Sequence, residues 1–195
     1  MCFEAIRKVL GRDIRSVFSP WIEDADALPR FKELEISGCA IRGAGLFGLS
    51  LVRDLYLFYS AADAICFASI YPQTVSHFGN TVFVSTGNVP EKRLIASLHN
   101  VFHGVKLHTV FDKDLSGRIA DCKIALWWTA KDSPFSYDAG SISGFYRGKK
   151  VVIPEELFSL NQFKLRTGFK CEIRTHKAPS GYASYLDLVR HNFQG

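Results

Sequence analysis

The chain has 195 residues, 24 Lys and Arg against 19 Asp and Glu, and a formal net charge of +5. Hydrophobic residues make up 47% and charged residues 22%, which is globular composition and excludes disorder and collagen-like repeats. No apolar run approaches the roughly 20 residues needed to cross a bilayer.

The start, MCFEAIRKVLGRD, carries charges among its apolar positions and does not read as a signal peptide. Phe3, Ile6, Val9 and Leu10 form a short amphipathic helix pattern. The segments LEISGCAIR and LFGLSLVRD read as two strands of a hairpin, with RGAG supplying the turn. From Leu55 the pattern becomes regular. LYLFY is a strand, Ala64, Phe67, Ala68 and Tyr71 share a helical face, and TVFVS is a second strand. Pro90 sits where a first helical turn tolerates it, and Leu94, Leu98 and Val101 mark that helix. VKLHTVF is a third strand, and Ile119, Cys122 and Leu126 mark a third helix ending near Ala130.

Strands near 55, 81 and 105, roughly 25 residues apart and separated by helices, predict β-α-β units and a parallel sheet. Ligands of such sheets bind beyond the carboxyl ends of the strands. After Lys131 the pattern predicts a hairpin turning at Gly148, a short helix in EELFSLNQFKL and a last strand KCEIR. A closing helix in YASYLDLVRHNF is expected to be capped by Ser180 or Gly181. The chain thus divides into an N-terminal helix and hairpin (1–54), an α/β core (55–130) and a C-terminal β/α extension (131–195) packed on it.

The five cysteines, Cys2, Cys39, Cys66, Cys122 and Cys171, form no C-x-x-C pair, which speaks against a zinc ribbon and fits a reducing, cytoplasmic setting. His99 and His103, four apart on a helix, read as a surface feature. Trp127 and Trp128 read as packing residues. Lys149, Lys150, Lys164, Arg166, Lys170, Arg174 and Lys177 crowd the last quarter. They read either as a solvated face or as a phosphate-contacting strip.

Three segments could carry chemistry. In FDKDLSGR, Asp112 and Asp114 follow an apolar strand. Two such neighbouring carboxylates repel unless a cation compensates, and Mg²⁺ bridging protein and phosphate suits them. A turn in which Asp114 or Ser116 caps the next helix accounts for the same residues. The EF-hand reading fails because Lys123 stands where a bidentate Glu is required. A haloacid-dehalogenase-type reading is weakened because Leu115 and Ser116 follow the pair, on a third strand. In the second segment, Ser60 and Asp63 form an S-x-x-D capping box. In the third, Ser85, Thr86 and Gly87 close a strand and could offer N–H groups to an anion, or form a plain loop.

Together these pieces resemble the Toprim domain of primases, topoisomerases and old-family nucleases. The match rests on Asp112 and Asp114 with Gly117 and Arg118 after them, the strand–helix frame 55–130, and Asp63 with Ala64. VSTGN and THKAP resemble segments of Toprim proteins from bacterial mobile elements. Two departures stand out: Tyr59 holds the position of the family Glu, and acidic and Asn residues expected near Ala183–Leu186 are replaced. The resemblance implies a Toprim-like, Rossmann-like fold and a nucleic-acid partner, DNA favoured over RNA. If activity survives, Asp112, Asp114 and Asp63 would be catalytic, with Asp112 and Asp114 holding Mg²⁺ or Mn²⁺ for nucleotidyl transfer or phosphodiester cleavage. Lys113 and Arg118 would neutralise phosphate, with Ser85, Thr86 and Gly87 beside them. The alternative is a catalytically inactive module binding nucleic acid or protein. A small phosphohydrolase ranks below both.

Overall fold

The computed structural model describes residues 40–42, 52–75 and 80–192. The amphipathic pattern at Phe3–Leu10 and most of the expected N-terminal hairpin lie outside these residues. A strand β1 (Ala40–Arg42) is followed by β2 (Asp54–Phe58), α1 (Ala61–Ile70), the single turn α2 (Pro72–Val75) and β3 (Thr81–Ser85). Then come α3 (Lys92–Val101), β4 (Lys106–Val110) and α4 (Leu115–Trp128). The chain continues with β5 (Phe135–Asp138), β6 (Ser141–Tyr146), β7 (Lys149–Pro154) and α5 (Leu160–Thr167). It closes with β8 (Arg174–Thr175) and α6 (Tyr185–Asn192).

The main sheet has the order β1-β3-β2-β4-β8. β3, β2, β4 and β8 are mutually parallel, and β1 lies antiparallel on the edge beside β3. Helices cover both faces, an arrangement compatible with a Rossmann-like fold. The two-residue period of the strands explains this. Leu55, Leu57, Val82, Val84 and Leu107 point to the face covered by α3 and α4. Tyr56, Phe58, Phe83 and Val110 point to the face covered by α1 and α6. Both faces are therefore apolar, as a buried parallel sheet requires. A second sheet, β5-β6-β7, is antiparallel and inserted between α4 and α5. Its inner residues Ile142, Tyr146 and Ile153 join Phe158 and Phe163 in one continuous core with β2 and β4. Each fully buried Phe there contributes about 1.5–3 kcal/mol.

The helix ends follow local chemistry. Ser60 caps α1, accepting from the Asp63 N–H at 3.2 Å and donating to its carboxylate at 2.6 Å. The expected cap of the last helix is corrected: Ser184, not Ser180 or Gly181, accepts from the Asp187 N–H, and Asp187 accepts from the Ala183 N–H. The last strand also starts four residues later than KCEIR suggests. Ile173 is buried, and only Arg174 and Thr175 pair with His108 and Thr109. Pro90 precedes α3 rather than opening it, with Glu91 at the N-cap. Cys66 and Cys122 are buried and Cys171 is half-buried, all with free thiols.

A histidine pair ties β8 to the sheet. His108 Nε2 lies 3.0 Å from Asp54, and its Nδ1 lies 2.8 Å from His176 Nε2. Both contacts are satisfied when the two rings are neutral, with His108 donating to Asp54 and His176 donating to His108. Burial pulls both imidazoles below their ordinary range, His108 against the pull of Asp54 and His176 to about 4. Stability carried by a depressed imidazole is present above its ordinary pKa and is lost as pH falls toward the folded value. The melting temperature should therefore drop between pH 6.5 and pH 4. His176→Gln should flatten that slope in a calorimetric pH series.

Candidate functional site

The order of strand addition reverses at β2. α1 carries the chain from β2 to β3 on one face, and α3 carries it back past β2 to β4 on the other. Such a reversal opens a crevice beyond the carboxyl ends of the two central strands. Tyr59 follows β2 there and Asp112 follows Phe111 at the end of β4, with the Tyr59 and Phe111 rings 4.4 Å apart.

The turn after β4 is set by two contacts. Asp114 caps α4, its carboxylate accepting from the Gly117 N–H at 2.7 Å. Gly117 packs so closely that an added Cβ would sit 2.1 Å from the Asp112 carbonyl oxygen, so no other residue fits. No hydrogen-bond donor among the described residues reaches the Asp112 carboxylate. Burial, then the negative charges of Asp63 and Asp114, push its pKa up, while Lys177 opposes them.

Lys177 is the cation of this site. Its ammonium lies 2.8 Å from Asp121 Oδ2 and donates to the carbonyls of Asp112 (2.8 Å) and Phe111 (3.1 Å). Thr109 donates to the other Asp121 oxygen at 2.6 Å. Asp121 is buried, and burial raises its pKa against the pull of Lys177 and Thr109. The Tyr59 phenol is pushed far up, first by burial and then by Asp114, Asp112, Asp121 and Asp63. It is a neutral O–H donor throughout the physiological range.

Several predicted phosphate contacts are engaged inside the fold. The N–H groups of Thr86 and Gly87 donate to the carbonyls of Phe58 and Tyr59. The Ser85 and Thr86 hydroxyls donate to those same carbonyls. The loop after β3 is thereby stitched to the end of β2, with Gly87 at φ +79°. Arg118 donates to the carbonyls of Glu155 and Phe158, clamping α4 to the turn before α5. Lys113 donates to the Pro179 carbonyl. Asp63 accepts from Ser60, and its pKa is raised by burial against that bond. Among the described residues, no three His, Cys, Asp or Glu side chains come together as a metal ion requires. The acids near Tyr59 share an electrostatic field.

Sequence reasoning passed over Asp121 as a site residue, although a carboxylate between Ala120 and Cys122 on a buried helix face is a visible signal. It also passed over a cleft of about 300 Å³ beside the acids, bounded by Tyr59, Asn88, Ser116 and Trp127 over Ile119 and Ala120. His99 and His103 pack edge to face, and His99 meets Trp128 in the same way. No helix among the described residues is long and apolar enough to cross a membrane. No protein-family model, curated protein or solved structure matches the chain.

Two outcomes follow from the electrostatics. A raised carboxyl pKa means that stability is present while the group is protonated and is lost as pH rises through the raised value. Asp112→Asn should therefore raise the melting temperature at pH 7 and leave it unchanged near pH 3. Lys177→Met strands the buried Asp121 and should cost about 3 kcal/mol in urea unfolding. Adding Asp121→Asn should recover part of that loss.

Proposed function

We propose that this protein is a Toprim-like module that binds nucleic acid in the cytoplasm, in mobile-element DNA processing, and does not itself catalyse strand chemistry. Tyr59 carries the reading. It occupies the end of the first strand of the parallel core, where the resembled family places its Glu, and burial, reinforced by four carboxylates, holds its phenol protonated. A neutral phenol cannot take a proton as a base at pH 7. The commitment of Asp114 to the α4 cap and of Asp63 to Ser60 supports the same view. Attraction to a polyanion is supplied by exposed Lys149, Lys150, Arg166, Lys170 and Arg174 in the last quarter of the chain.

One observation favours a second reading. Among the described residues no donor reaches the Asp112 carboxylate, which is partly buried among like charges, an arrangement that a divalent cation would relieve. In that case Asp112 and the uncapped oxygen of Asp114 would hold Mg²⁺ or Mn²⁺, and the ion would supply charge neutralisation at a phosphate. A small phosphohydrolase has no such support.

Fluorescence anisotropy with labelled single- and double-stranded DNA and RNA separates these readings. Binding should weaken steeply with salt, and Lys149→Glu with Lys150→Glu should lower both the affinity and the salt slope. The DNA should remain intact after incubation with Mg²⁺ or Mn²⁺. Metal-dependent cleavage or extension that Asp112→Asn abolishes would establish the second reading instead. Absence of binding at low salt would remove both.

A further inference from the structure

We propose that the cleft between the β3–α3 loop and α4 is a pocket for a single nucleobase. The inference deepens the nucleic-acid reading and takes its ligand class from it. The pocket itself stands on its own geometry.

The cleft measures about 300 Å³, lies beside the acids, and has a mainly apolar lining of Ile119, Ala120, Val89 and Pro90. One wall is the Trp127 indole. That ring is pre-positioned: its Nε1–H donates to Asp132 at 3.1 Å, and Asp132 is also bound by Lys92 and Lys123. The Lys123 ammonium lies 5.6 Å from the Trp127 ring centroid, and the fixed aromatic wall can stack a flat ring with little ordering cost where that ammonium leaves it open. At the rim Val89 is 80% exposed, so the cleft presents apolar surface to solvent.

Three polar groups face this apolar wall, and none has a hydrogen-bond partner among the described residues. They are the Asn88 amide, the Ser116 hydroxyl and the Tyr59 hydroxyl. An amide offers donors and an acceptor side by side, which matches the edge of a base. The charges around the cleft favour a ligand whose buried part is neutral, since its lining cation Lys123 is already paired. The Lys123 ammonium is already held by Asp132 and the Ser133 carbonyl, and Asp112 and Asp114 stand close to Tyr59. A buried part that is neutral, flat and hydrogen-bonding at its edge fits best, with any phosphate turned outward. A sugar fits less well, because its hydroxyls outnumber the polar groups available. The base can come from a free nucleotide or from a single strand splayed over the rim.

The test uses the full chain, titrated by calorimetry with AMP, GMP, CMP and UMP, with ribose 5-phosphate, and with a single-stranded DNA 12-mer. At least one monophosphate should bind saturably and ribose 5-phosphate should not. Asn88→Ala, a substitution at an exposed loop position, should weaken binding roughly tenfold. Ser116→Val provides a second, independent variant with the same expected direction. Monophosphate binding without 12-mer binding would place a free nucleotide in the cleft and remove the polymer reading. Binding of the 12-mer that neither variant weakens would overturn the pocket and leave the polymer reading standing. Equal binding of ribose 5-phosphate would overturn base recognition. No binding by any probe would overturn both.

Discussion

The Lys177 ammonium is the contact on which the rest of the site depends. It reaches from the segment after β8 to the carbonyls that end β4 and to Asp121 on α4. Asp121 is buried, which raises its pKa, and this partner and the Thr109 hydroxyl oppose that rise. The same bonds hold the Phe111–Asp112 backbone in place, and Gly117 lets α4 begin directly against it. Tyr185 adds a bond from its hydroxyl to the Lys177 carbonyl, so α6 closes over the arrangement. The C-terminal segment is thus part of the site rather than an addition to it.

This hub also explains why a tyrosine is tolerated at the end of β2. Asp63, Asp112, Asp114 and Asp121 all act on Tyr59, and Lys177 is the cation that counters them most directly at Asp112 and Asp121. An acid at position 59 would add another like charge to a half-buried cluster. A phenol adds none, fills space against Phe111, and still presents an O–H to the cleft. A tyrosine here avoids a further repulsion and leaves a donor where the apolar cleft meets the acids.

The frame was legible in the sequence because its signals are local. The strand–helix spacing from Leu55 to Trp128, the Ser60–Asp63 box and the capping option for Asp114 all involve neighbours within a few residues. The functional assignments were less legible because their outcome depends on remote partners. Thr86 and Gly87 look like an anion loop until Phe58 and Tyr59 accept their N–H groups. Arg118 looks free until the turn near Glu155 folds over it. The Ser184–Asp187 box is readable in the sequence, but Ser180 and Gly181 before it offer competing caps, and only the fold selects Ser184.

We propose that the acids around Tyr59 form a frame that does not gather a divalent ion. Paramagnetic broadening of backbone amide signals by Mn²⁺ tests it most directly. The account predicts no site-specific loss of the Tyr59 and Asp112–Ser116 signals at equimolar Mn²⁺. Selective broadening centred on Asp112, abolished by Asp112→Asn, would contradict it.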